Sequence, residues 1–147
     1  MTLGGVDQRI HTNPREAIKY AKLLQTSGWF QVKLVDIQME DRINGAGAAK
    51  SIGEDASKYN SGKGCIVDSG TTDTYLPSSI SAKFTALFKE ITGLAFSQAN
   101  IAMTTDQLKK LPNLLFVFED LQGTTFQISM PYDSYVDSVG KQLINTH

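Results

Sequence analysis

The sequence predicts a mainly β domain with short helices, and three stretches carry that reading. Gly28 to Met39 alternates apolar and polar side chains and is rich in β-branched and aromatic residues, the period-two pattern of a strand with one buried face. Phe30, Val32 and Leu34 are expected to share that face. Leu114 to Glu119 and Thr124 to Met130 alternate on either side of Asp120-Leu121-Gln122-Gly123, a turn-forming stretch, which predicts a β-hairpin. After Pro77, the residues Ile80, Phe84, Leu87, Phe88 and Ile91 recur at intervals of three and four. That spacing predicts an amphipathic helix over 79–91, capped by Ser78 or Ser79 and ended by Gly93.

The remaining elements are shorter. Thr104 to Lys110 reads as one or two helical turns stopped before Pro112. Asn13 to Leu24 reads as a short helix with Asn13 as cap and Pro14 in its first turn, a strand being the competing assignment. Glu40 to Gly64 is full of Gly, Ala, Ser, Asn and Lys with almost no large apolar residue, so residues 40–64 are expected to form a mobile loop or hairpin insert. No internal repeat or low-complexity tract interrupts the chain.

Composition removes several function classes. The chain has 147 residues, one domain's worth, and its 14 basic and 15 acidic side chains leave a net charge of −1. Such a balance offers no field for nucleic acid or an anionic membrane. No apolar run is long enough to cross a bilayer, and Met1 to Gly5 lacks the basic start and apolar core of a signal peptide. Any targeting segment or membrane tether is therefore expected to lie outside these residues. Cys65 is the one cysteine, so no internal disulfide forms; it reads as a small buried hydrophobe on a strand, the alternative being a bridge to a segment outside this sequence. His11 and His147 have no second ligand at metal spacing and read as surface residues. No metal and no cofactor is expected.

The residues that carry chemistry are Cys65-Ile66-Val67-Asp68-Ser69-Gly70-Thr71-Thr72. Asp, Ser and Gly are common turn residues, and a bare triplet says little. Its surroundings say more. The triplet follows an apolar strand, Ile66-Val67, and leads through Thr71-Thr72 and Tyr75-Leu76-Pro77 into the amphipathic helix. A carboxylate at the tip of a rigid strand-loop, among hydroxyls and backbone N–H groups, is one that can be oriented and tuned in acidity.

This stretch resembles the second Asp-Thr/Ser-Gly-Thr/Ser motif of the pepsin-like aspartic proteases, with the Thr-Thr-x-x-Tyr-Leu-Pro continuation. Three further blocks agree in order: Leu3-Gly4-Gly5-Val6-Asp7, then Gly28-Trp29-Phe30-Gln31-Val32, then Leu111-Pro112-Asn113-Leu114-Leu115-Phe116 through to Met130-Pro131-Tyr132-Asp133-Ser134-Tyr135. The resemblance covers nearly the whole chain and implies the C-terminal lobe of such an enzyme. It implies that Asp68 is one of two catalytic aspartates that share a proton and activate a water against a peptide bond. By the same resemblance, Ser69 braces the opposite lobe's catalytic loop and Thr71 hydrogen-bonds the catalytic carboxylate. Gly70 lets the substrate backbone approach, and Thr72 reaches the substrate main chain.

The sequence holds no second Asp-Thr-Gly or Asp-Ser-Gly after an apolar strand, and it ends before the hydrophobe-hydrophobe-Gly strand that supports the catalytic loop in this family. The resemblance therefore implies an incomplete lobe, inactive by itself, whose partners are a peptide or protein substrate and an N-terminal lobe of the same protease. It also implies the secretory or endomembrane pathway. Two rival readings predict different behaviour: a single-lobe protease that forms its dyad as a homodimer, and a non-catalytic homologue that serves as a structural or inhibitor-binding module.

Overall fold

Five consecutive apolar side chains, Leu114 to Phe118, suit a strand covered on both faces. The computed structural model describes residues 18–24, 28–43, 48–71, 73–99 and 101–136, and strand β5 (Asn113–Glu119) buries all five. The sequence predicts alternation there; the strand is instead apolar on both sides because it is central. Strands β2 (Leu34–Glu40), β3 (Ala49–Ser51) and β6 (Thr125–Met130) complete an antiparallel sheet in the spatial order β3-β2-β5-β6. The predicted hairpin is β5–β6, in register from Leu114 opposite Met130 to Glu119 opposite Thr125. A separate two-stranded ribbon pairs β1 (Gln31–Val32) with β4 (Cys65–Ile66).

The strand predicted over 28–39 is thus two pieces. Val32 and Leu34 are buried, but the burial phase then slips by one residue, to Ile37 and Met39. The slip coincides with a register shift between Leu34 and Asp36 in the pairing with β5, the signature of an extra residue in one strand. Phe30 does not share the inner face: it is 66% exposed. A local bond from Gln31 N–H to Trp29 C=O (2.9 Å) turns the chain there and takes Phe30 out of phase.

Helix α2 (Ser81–Thr92) occupies most of the predicted span and ends at Gly93, whose φ of 73° is the left-handed cap. Neither Ser78 nor Ser79 caps it by side chain; a 3-10 turn, Ser78–Ile80, leads in from Pro77 instead. Ile80, Phe84, Leu87 and Phe88 are buried, and Phe96 meets Phe84 and Phe88 edge-on with centroids 5.4 Å apart in each pair. Helix α3 (Thr105–Lys109) starts with a capping box: Thr104 Oγ1 accepts from Gln107 N–H (3.2 Å), and Gln107 Oε1 accepts from Thr104 N–H (2.8 Å).

One stretch differs from expectation, and a second carries an element that the sequence reading did not include. The part of the predicted 13–24 helix that is described, 18–24, is extended. Ala21 bridges Asp120 and Leu23 bridges Val32, both antiparallel, with Leu24 N–H donating to Gln31 C=O at 2.9 Å. Strand edges offered by β1 and by the end of β5 satisfy this backbone, and tertiary pairing overrides the local preference. The rest of that prediction, Asn13 and Pro14 included, falls outside the described residues, as do Leu3 to Asp7, His11 and His147. Within 40–64, β3 returns along β2 as a hairpin arm, and the sequence reading gave no helix where α1 (Ala56–Asn60) forms. Asp55 caps it, accepting from Ser57 N–H at 2.8 Å, and two apolar anchors, Ile52 and Tyr59, suffice to seat the segment on the core.

Ile37 and Ile128 provide a paired test of this layering. Ile37, on the inner strand β2, is fully buried, whereas Ile128 on the edge strand β6 is 52% exposed. Urea unfolding followed by far-ultraviolet circular dichroism is expected to show Ile37→Ala losing about 2–5 kcal/mol and Ile128→Ala changing by no more than about 1 kcal/mol.

Candidate active site

β4 is short because the chain bends away immediately after it. Gln31 lies opposite Ile66 and Val32 opposite Cys65, and one further bond, Val67 N–H to Phe30 C=O (3.1 Å), carries the pairing one residue on. The predicted Ile66-Val67 strand is therefore present as Cys65–Ile66 plus this bond, and Asp68 is the next residue. Cys65 packs against the core as a free, half-buried thiol, and burial pushes its pKa up. That environment disfavours the thiolate.

Asp68 opens a tight turn that closes on its own side chain. Gly70 N–H donates to Asp68 Oδ1 at 2.9 Å, and Thr71 Oγ1 donates to Oδ2 at 2.6 Å. Both carboxylate oxygens are thus held from within the turn, one by Gly70 and one by Thr71. The Thr71 hydroxyl first, then the Gly70 N–H, stabilise the charged form and hold this carboxyl below the ordinary aspartate range; slight desolvation opposes them. Position 70 has little spare room beside the carboxylate. A Cβ at Gly70 lies 3.3 Å from Asp68 Oδ1, tighter than a relaxed contact.

Among the sequence-predicted site residues, the structure brings Asp68, Gly70 and Thr71 together. Ser69 is exposed on the same turn, and Thr72 lies outside the described residues. The sequence reading missed that large apolar side chains on the segments flanking the turn are exposed. Val67 and Phe30, joined through the backbone bond above, are 63% and 66% exposed, and Tyr75 is 77% exposed. Period-two counting placed Phe30 in the core, so only the turn at Trp29 could have revealed it. A shallow depression elsewhere, lined by Ile18, Lys19, Tyr20, Asp120, Leu121 and Gln122, includes none of the loop. Among the described residues no group of His, Cys, Asp and Glu could hold a metal ion. No helix among them is long and apolar enough to cross a membrane.

Asp68 is thus a solvent-facing aspartate held at the end of a short strand in a mainly β domain. The family model of eukaryotic aspartyl protease matches residues 1–143, and the chain belongs to that family. Its class is peptide hydrolase, and its fold, β sheets with a few short helices, agrees with a pepsin-like lobe. No curated protein matches the chain.

The turn sets the pH response of the site. The folded pKa of Asp68 is depressed, so the bonds from Thr71 and Gly70 are at full strength above the ordinary aspartate value, about 3.9, and are lost as pH falls through the lower folded value. Carbon-detected NMR titration is expected to give Asp68 a midpoint below that value in the native chain, and a higher one in Thr71→Val. Equal midpoints in the two proteins would contradict the Thr71 bond.

Proposed function

We propose that the chain is the C-terminal lobe of a pepsin-like aspartic endopeptidase and that Asp68 is one of its two catalytic aspartates. The observation that carries this reading is the Asp68 carboxylate, accepting from Thr71 Oγ1 and Gly70 N–H at the end of β4, in a chain of the eukaryotic aspartyl protease family. The order of the motif blocks supports the assignment to the second lobe, with residues 40–64 as an insert upon it.

The sequence contains one Asp-Ser/Thr-Gly triplet, so the second carboxylate comes from an N-terminal lobe. Two carboxylates in contact cannot both ionise, and the pair shares one proton with pKa values that belong to the dyad. One member accepts a proton from water as the water oxygen adds to the scissile carbonyl carbon. The dyad then returns a proton to the leaving nitrogen as the C–N bond breaks. Thr71 keeps Asp68 oriented and charged. Ser69, exposed on the turn, braces the loop of the other lobe; Gly70 admits the peptide backbone, and Thr72 bonds the substrate main chain. The ligands are peptides or proteins, without nucleic acid and without a cofactor. The family is generally secretory, lysosomal or vacuolar, which is the compartment proposed here, with any membrane tether outside this segment.

Reconstitution tests the mechanism. The monomeric chain is expected to leave peptide substrates intact at acidic and neutral pH, and addition of an N-terminal lobe bearing its own Asp-Thr-Gly is expected to restore cleavage. Asp68→Asn in the reconstituted enzyme should lower kcat by about 10²- to 10⁴-fold, the size of an acid–base contribution. Full activity of that variant would refute the role of Asp68. Cleavage by the chain without a partner lobe, rising with the square of its concentration, would replace the two-lobe dyad by a homodimeric one. Ser69→Ala is expected to weaken lobe association by about 1–3 kcal/mol, through an unmade buried hydrogen bond.

A further inference from the structure

The ribbon that carries Asp68 is too short to hold itself. β1 and β4 share two residue pairs, and isolated two-stranded hairpins are marginal in water even when longer. The ribbon is also a separate sheet from the four-stranded one. Where the chain passes between them, at Lys33 and Leu34, the β2–β5 register begins to slip. Some other contact has to fix where β4 begins.

Two side-chain amides provide it. Asn60, the last residue of α1, accepts Leu34 N–H on Oδ1 (3.1 Å) and donates from Nδ2 to Leu34 C=O (2.7 Å). It thereby makes, to one residue of β2, the pair of bonds a neighbouring strand would make. A carboxamide can do this because it carries a donor and an acceptor in one plane, as a peptide group does. The same Nδ2 donates to Ala56 C=O at 2.7 Å, tying the amide to its own helix. Residues 61–64 then turn, with Gly64 N–H on Ser61 C=O (3.0 Å) and left-handed φ at Gly62 and Gly64. Gln31, from β1, grips the far end of this turn: its Nε2 donates to Lys63 C=O, and its Cδ lies 3.4 Å from the Cβ position of Gly64. The path from α1 to β4 is pinned at residue 60 and again at residue 63, just before Cys65.

We propose that Asn60 and Gln31 are positioning residues for the Asp68 carboxylate, holding the α1–β4 turn so that β4 delivers the loop in one register. The consequence for catalysis rests on the protease reading above; the positioning itself does not. Asp120 supplies an internal reference for the test. Its carboxylate is held in the same style, by Thr124 Oγ1 (2.5 Å) and by the N–H groups of Gln122 and Thr124, in the β5–β6 turn.

The experiment is an NMR titration of both carboxyls in the whole chain, native and in the variants Asn60→Ala and Gln31→Ala. In each variant the Asp68 midpoint is expected to rise toward the ordinary value of about 3.9, while the Asp120 midpoint stays where it is. A native Asp68 midpoint in a folded variant overturns the proposal. If Asn60→Ala loses the fold, Asp120 moves as well, and Gln31→Ala, whose amide bond lies at the surface, decides: Asp68 moving alone supports positioning, and Asp68 unmoved refutes it. The titration reads the surroundings of the carboxylate and not turnover, so its failure and that of the protease reading are separate results.

Discussion

The pairing of β2 with β5 is the constraint on which the rest of the molecule depends. β5 buries five consecutive apolar side chains, and such a strand is stable only with a neighbour on each edge and a layer on each face. β2 supplies one edge and β6 the other. On the β2 side, Ile37 and Met39 have no exposed surface, so any slip in that register would carry both to the wrong face. Their burial makes the register of the sheet a matter of several kcal/mol, by the cost of exposing or removing such side chains.

The Asp68 loop inherits its position from that sheet through a thin connection. β2 shifts register between Leu34 and Asp36, and the chain before the shift leaves the sheet to form the two-stranded ribbon with β4. Lys33 marks the departure: its carbonyl accepts Glu119 N–H (3.0 Å), and its ammonium pairs with the Glu119 carboxylate (2.6 Å). The ion pair is partly exposed and adds little by itself. Its geometry matters more, because it ties the end of β5 to the start of the ribbon. A rigid sheet at one end and a self-bonded turn at the other leave the Asp68 carboxylate both fixed and open to solvent.

Most of the elements were legible because they are local or periodic. The helix over 79–91 is written in the spacing of Ile80, Phe84, Leu87, Phe88 and Ile91 with Gly93 behind them, and the structure places it within two residues. The β5–β6 hairpin follows from two apolar runs around a Gly-containing turn. The elements that were not legible depend on partners distant in sequence. The 18–24 segment is extended because β1 and the end of β5 offer it hydrogen bonds, which no local window contains. α1 is five residues long, too short to form by propensity, and exists because Asp55 caps it and Tyr59 has a core to enter.

The motif divides in the same way. From Cys65 to Thr71 the residue order by itself determined the chemistry on offer: an apolar strand, a carboxylate, a glycine too small to crowd it and a hydroxyl within reach. These lie within three residues of Asp68, close enough in sequence for a tight turn to bring them into contact. Only the tertiary structure decided where that turn stands. Its anchors are Leu34, Gln31 and the edge of β1, each at least 26 residues from the groups they hold, and contacts at that separation form only once the sheet has closed the intervening loop against its entropy.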